Sequence, residues 1–580
     1  MAAMALEWRD TNDDNWSVKR FFSITIMPLL ALAQSASTGP SCHTNHASRD
    51  YKMTPMPAPR KLTGIGTSHL TITTKSAEAQ AWFDQGLNLT HCFWEFEAYR
   101  AFKEAARLDP DAAMAWWGVA QSISDYKAME DERKAAVERE KALLSKVSDH
   151  EQFYIRAQQR SDDKDDKDGY QREMEALVDK YPDDIDAKLF LAINTNYGYE
   201  HDGRPGKYAL YPQMLLRDVL RAHPDSAAAH HYMIHVVESS LHAEDAVPNA
   251  DALTRLAPGS GHMIHMPGHI YYRVGQYDRA RDSFLASKKF EEEYMRREKL
   301  STVDDWNYPH NLSYLIASDA ESGRVKEAFE MAALLDGLPA NPFIGKGIAA
   351  HAMTVGGAAV RLKIRLGDYQ AAVDRPINLG FEEADAGESA TAFRDGMLAY
   401  ARGMAALAKN NQAEAERESD ALAAIEWRLH SEKTDAEKTR KDDEDNPKRA
   451  LMILEIYSLD LRGNLRAAGK HFDEAIDLLK RAADKEEIAG YAEPPQYARP
   501  ELEALGYVYI RAGKFDEARD AFQRELKFRP SSGHELYGIA QAYEVEGKRV
   551  EAARAYGEFL KAWKNADPDL AMVRHAQSFK

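Results

Sequence analysis

The chain has 580 residues, 44% of them hydrophobic, an ordinary proportion for a folded soluble protein and a length beyond what one small core organises. Acidic residues outnumber basic ones 93 to 75, and the formal charge of -18, with no local basic patch, excludes nucleic acid and anionic lipid as natural partners. Two cysteines, Cys42 and Cys92, are too few for a disulfide framework or a thiolate-rich metal site, so any metal must be held mainly by nitrogen and oxygen.

Residues 1–36 read as a leader. Lys19 and Arg20 precede the apolar run 21–33, which ends in the small-x-small triplet Ala31, Leu32, Ala33 and is too short to span a bilayer. Seventeen mostly polar residues stand ahead of Val18, and translation from Val18 on a non-AUG codon would account for them. Residues 37–75 form an arm or linker, Pro-rich over 51–59. Cys42, after Gly39, Pro40 and Ser41, matches a lipid-attachment site poorly, so the expectation is export to the periplasm or medium in soluble form, with no membrane contact after processing.

From about residue 76 the pattern is helical and periodic. The stretch 79–110 carries Trp82, Gly86, Ala98, Phe102, Ala105 and a closing Pro110, and so resembles the tetratricopeptide repeat. Small Gly86 and Ala98 let two antiparallel helices approach, Phe102 fills the space between repeats, and Pro110 stops the second helix. At the turn, bulky Cys92, Phe93 and Trp94 replace the usual glycine, which predicts that something packs over that corner. Further units cover 227–260 (Ala246, Pro258), then run from Gly261 (Gly268, Gly275, Ala280, Phe284) and from Pro309 (Gly323, Ala328, Ala332). Weaker units occupy 353–385, 396–425 and 456–485. The last two carry Gly506, Gly513, Ala518, Phe522 and Pro530, then Gly547, Ala552 and Tyr556. The resemblance implies an all-α tetratricopeptide-repeat superhelical solenoid: an N-terminal and central array over 76–430, a charged exposed linker over 431–446, and a C-terminal array over 447–580. It is specific for fold and says little about activity.

The chemistry concentrates between residues 230 and 310. His231, His235, Glu238 and His242 follow at spacings of four, three and four, which keeps them on one helical stripe. His262, His265, His269 and Tyr272 repeat the arrangement in the next unit, and His310 opens the one after. The family pattern implies that the first-helix positions of His231, His235, Glu238, His262, His265 and His269 line the inner groove. Twenty histidines in 580 residues average about two per sixty, whereas 227–286 holds seven. Apolar Met233, Ile234, Ile264 and Ile270 interrupt them, so this is not a low-complexity histidine tract. His230 falls off the stripe and His242 reaches the turn.

An imidazole-rich site disfavours calcium and magnesium and suits a divalent transition metal. The expected ligands are His231, His235, His262, His265 and His269, with His310 at the edge, holding one or two ions. Copper is preferred over zinc by a small margin, because export and imidazole both suit it. Glu238 is a ligand, an outer acceptor for a ligating ring, or a general base, and Tyr272 a neighbouring hydroxyl; these two are the expected catalytic groups. His91, Trp117 and Trp306 are expected to bound the substrate. The proline-held loop 491–500, carrying Glu493, Tyr497 and Arg499, is expected to lie across the groove, with Tyr497 and Arg499 facing substrate. The histidine segment and the proline loop together resemble a group of exported bacterial tetratricopeptide proteins, a likeness that brings no reaction with it. The predicted function is a metal-dependent enzyme, a copper-dependent oxidoreductase acting on a small organic, aromatic substrate in the concave groove. A zinc-dependent hydrolase, a peptide-binding scaffold and a metal-binding protein are the alternatives.

Overall fold

The computed structural model describes residues 58–579, except 125–128, 162–165, 167, 197, 201–202, 303, 339–355, 378–386, 440–446 and 495–497. The leader, the start of the arm, the end of the charged linker and Tyr497 therefore lie outside the described residues. The rest is an all-α succession of antiparallel helix pairs. Ala77–His91 pairs with Glu95–Leu108, Gly261–Arg273 with Tyr277–Glu298, Glu501–Arg511 with Phe515–Phe528, and Gly533–Glu546 with Arg549–Ala562. No described helix is long and apolar enough to cross a membrane.

One small-against-large contact repeats through the array. Gly86 and Gly118 lie against Phe102, Gly268 against Phe284, and Gly506 and Gly538 against Phe522. A methyl group on Gly268 would fall 2.4 Å from the Phe284 ring, so only glycine lets the paired helices close. The three phenylalanines are fully buried.

The anomalous first turn has a physical reason. Phe93 takes a positive φ of 54°, where other units use glycine, and its buried ring projects among imidazoles, with centroids 4.6 Å from His231 and 5.1 Å from His235. The extended arm packs over the same corner. Cys92 Sγ donates to the Ile65 carbonyl, Gln85 and Asn88 bond the backbone of Leu62 and Ser68, and Ile65, Leu70 and Ile72 are buried.

The array curls until its C-terminal repeats meet its centre. Trp563 Nε1 donates to the Glu321 carbonyl at 2.8 Å, Asp567 N to the Gly323 carbonyl at 2.9 Å, and Ser532 Oγ to the Glu321 carboxylate. This closure brings the loop ahead of Glu501–Arg511 back across the groove, where Tyr491 OH lies 3.3 Å from Tyr314 OH and 3.4 Å from Glu238 Oε2.

Gly275 sits at that closure with φ +73°, and an added Cβ would lie 2.0 Å from the Pro530 carbonyl oxygen. Gly513 has the same φ of +73° with nothing within 4 Å of its Cβ position. Gly513→Ala should therefore cost only the left-handed backbone strain, about 1 kcal/mol, whereas Gly275→Ala adds a backbone clash and should cost roughly 1–3 kcal/mol. Thermal unfolding with limited proteolysis checks this. Equal midpoints and equal cleavage for the two variants would show that the closure contact contributes nothing.

Candidate metal centre

Three consecutive first helices build the site. Ser226 caps Ala227–Val237 by accepting from Ala229 N, and Ser260 caps Gly261–Arg273 by accepting from Met263 N. The capped helices present His231 and His235, and His262, His265 and His269, to the closed groove. Asn307–Glu321 adds Asn307, His310, Asn311 and Tyr314, which helical spacing places on one side.

The imidazoles form two triplets, His231, His235, His262 and His265, His269, His310. In the first, His231 Nε2 lies 3.1 Å from His262 Nε2 and 3.0 Å from His235 Nε2. In the second, His265 Nε2 lies 2.6 Å from His269 Nε2, and His310 Nε2 is buried with no hydrogen-bond partner. The triplets adjoin, with His262 and His265 stacked at a centroid separation of 6.0 Å.

The opposite ring nitrogens decide what these contacts mean. His231 Nδ1 donates to the His91 carbonyl at 2.7 Å, His262 Nδ1 to Asn307 Oδ1 at 3.2 Å, and His265 Nδ1 to Asn311 Oδ1 at 2.7 Å. The Asn311 amide cannot be reversed, because its Nδ2 donates to the Phe284 carbonyl, and Asn307 Nδ2 donates to Glu291. Glu238 serves two rings, taking His235 Nδ1 on Oε1 at 2.9 Å and His269 Nδ1 on Oε2 at 2.7 Å. With the proton on Nδ1, each neutral ring turns an Nε2 lone pair toward its neighbours. Facing lone pairs repel, and a shared cation turns them into ligands: nitrogens about 2 Å from one ion stand roughly 3–3.5 Å apart, a spacing that the first triplet meets and that His265 and His269, at 2.6 Å, would have to open slightly to reach.

Burial keeps the rings neutral. It pulls His235 and His310 down to about 4 and His262, His265 and His269 well below the ordinary imidazole value. It also pushes the Glu238 carboxyl up to about 8, an effect that Glu493, Tyr491 and Arg273 oppose and that a cation on the imidazoles would oppose further. Glu238, His269 and Glu493 form a third grouping of the right size. An ion there would require His269 to give up its Nδ1 proton, so the two imidazole triplets are the better sites.

Glu238 thus orients two rings through its carboxylate. Tyr272 does not touch the imidazoles; its ring lies 5.6 Å from Tyr314, which itself stacks 4.4 Å from His269. Trp306 is half-buried with its ring 5.2 Å from His262 and forms a wall of the site. Three of the residues expected to meet substrate are engaged elsewhere. His91 is buried between Asp186 and Tyr232 and contributes its carbonyl to His231, because it closes its helix facing inward. Trp117 is enclosed edge-on by Phe102, Tyr154 and Phe190. Arg499 is tied to Asp460 and the Tyr369 hydroxyl. His242 is exposed beside Glu244, and His230 bonds Asn249 and the Pro224 carbonyl. Sequence reasoning overlooked Asn307, Asn311 and Tyr314, although their spacing about His310 is helical. The proline-held loop is expected across the groove, and Tyr491 and Glu493 reach Glu238 and His269 there; Tyr491 itself is not among the expected site residues.

No protein-family model and no curated protein matches the chain. Among solved structures, yeast Tom70 is similar at 13% identity and a TM-score of 0.28, over 86% of this chain and 95% of that one. A tetratricopeptide repeat protein from Parabacteroides merdae is similar at 12% identity and a TM-score of 0.25, over 55% and 99%. At such scores these likenesses carry nothing about binding or activity.

Glu238→Gln leaves one acceptor oxygen for two ring N–H groups and sets an amide N–H against the other. Metal affinity should fall about 10–100-fold, as read by titration against a competing chelator. Unchanged affinity would show that Glu238 does not orient the ligands.

Proposed function

We propose that the protein is a copper-dependent oxidoreductase that oxidises a small aromatic molecule with dioxygen, using one copper ion in each histidine triplet. The observation that carries this reading is the convergence of imidazole Nε2 atoms in two adjoining triplets whose opposite nitrogens are already committed to oxygen acceptors. The ligand set contains neither carboxylate nor thiolate. Neutral donors in a desolvated site favour the ion of lower charge, and copper can exist there as a monocation whereas zinc is held at two positive charges. Two nearby carboxylates, Glu238 and Glu493, balance two monocations. Copper held by the two triplets would supply one-electron steps, so that an electron pair and two protons from the substrate would pass to dioxygen and leave as hydrogen peroxide.

The chain's own residues supply orientation and exclusion. Asn307, Asn311, Glu238 and the His91 carbonyl fix the rings, while Phe93, Tyr314 and the Tyr491 loop cover them. Trp306 and Phe93 offer flat apolar faces beside His262, which suit a planar ring. Export, expected from the leader, would deliver the chain to a compartment where copper is loaded outside the cytoplasm, in keeping with the exported bacterial repeat proteins that it resembles. A zinc-dependent hydrolase is the second reading, because three histidines with an open position also suit zinc.

The test is elemental analysis of untagged protein, followed by oxygen uptake after reconstitution with copper, zinc or iron, against a panel of phenols, aromatic amines and esters. Two copper ions per chain and oxygen consumption with copper alone are expected, one ion for each triplet. His265→Ala should abolish uptake and lose the ion of its triplet. Ester cleavage with zinc alone would replace this reading with the hydrolytic one.

A further inference from the structure

A second polar cluster lies where the central and C-terminal repeats face one another. Glu321 ends the Asn307–Glu321 helix and Arg365 ends Ala358–Arg365. Glu503 lies on Glu501–Arg511, Glu525 on Phe515–Phe528 with Arg529 just beyond it, and His534 and Glu535 open Gly533–Glu546. All seven are buried. Arg365 donates through Nη1 to Glu503 Oε2 at 2.5 Å and through Nη2 to Glu321 Oε1 at 3.3 Å. Arg529 pairs with Glu525 at 3.3 Å and approaches Glu321 at 3.6 Å. Four carboxylates therefore surround two guanidiniums, and Glu535 is left over. Neither of its oxygens accepts a hydrogen bond: the nearby Ser532 hydroxyl donates to Glu321, and Arg365 stays 3.8 Å away. The Tyr277 hydroxyl and His534 Nε2, in the same cluster, are also buried without a hydrogen-bond partner.

We propose that this cluster binds a protonated primary amine, with its ammonium group seated on Glu535. An ammonium brings three N–H donors and one positive charge, matching the two open carboxylate oxygens of Glu535; burial pushes that carboxyl up to about 8, and a seated cation would hold it ionised. A divalent metal fits less well, because the other carboxylates are engaged by guanidiniums and Arg365 would repel it. Tyr277 and Tyr507 both lie within the field of Glu535. An aromatic wall then runs toward the histidines, from Tyr277 to Tyr272 at 5.4 Å, to Tyr314 at 5.6 Å, to His269 at 4.4 Å. An arylalkylamine held by its nitrogen would direct its ring along this wall. That orientation rests on the oxidase reading; the amine site does not.

The experiment is calorimetric binding of 2-phenylethylamine, 2-phenylethanol and 3-phenylpropanoate to the full chain, once stripped of metal and once loaded with copper. The amine should bind both forms, the alcohol and the acid should bind about tenfold or more weakly, and Glu535→Gln should erase the preference. Equal binding of amine and alcohol to the unaltered chain, no binding of any probe, or a preference that survives in Glu535→Gln would each overturn the proposal. The comparison of three probes on the unaltered chain decides the matter even if the variant does not fold. An inert metal centre with intact amine preference would remove the oxidase reading and leave this site standing.

Discussion

The structure depends on one electrostatic constraint: imidazole lone pairs are made to face one another inside a desolvated groove. A single histidine escapes such a contact by changing tautomer or taking up a proton. Here the tautomer change is closed for His231 by the His91 carbonyl and for His265 by Asn311, and for His235 and His269 while Glu238 is ionised; burial holds His262, His265 and His269 below their ordinary proton affinity. A cation shared by the rings would relieve the repulsion, and the geometry is one that could coordinate a divalent metal.

A repeat array suits this arrangement because it is built from short-range contacts yet produces a long-range surface. Several helix pairs are fixed locally by a glycine against a phenylalanine, as at Gly268 and Phe284, without reference to the rest of the chain. Successive first helices then present equivalent positions in register, and a histidine placed at those positions in neighbouring repeats meets its counterpart. A solenoid left open would expose such a site to water and to peptides. The contacts of Trp563, Ser532 and Asp567 with the 321–323 turn close it, and they carry the Tyr491 and Glu493 loop onto the histidines.

Much of this was legible in the sequence. The solenoid could be read because its packing signals are local and recur at a fixed spacing. The grouping of His231, His235, His262, His265, His269 and His310 could be read because helical periodicity and repeat register together determine which residues share a face. The surrounding residues could not be read in the same way. Asn311 matters through a hydrogen bond to a ring on another helix, and Phe93 through a turn that violates its own repeat pattern. His91, Trp117 and Arg499, expected at the substrate from a repeat position, from aromatic area and from the proline-held loop respectively, each meet partners far away in sequence: Asp186, Phe190 and Asp460. Pairings of that kind follow from how the superhelix curls, which is a sum of small rotations rather than a local motif.

Charge gives the enclosed groove its internal logic. Near the histidines, neutral donors and two carboxylates leave room for about two positive charges before desolvation becomes prohibitive. Further along the groove, four carboxylates outnumber two guanidiniums and leave Glu535 without a hydrogen bond. A buried carboxyl without a hydrogen bond and buried lone pairs without a proton are the same kind of deficit, since each is costly until something supplies a donor or a positive charge. The two regions share one aromatic wall but differ in donor chemistry, nitrogen in one and oxygen in the other. Nitrogen lone pairs at this spacing suit a transition metal, whereas carboxylates interleaved with arginines suit an organic cation.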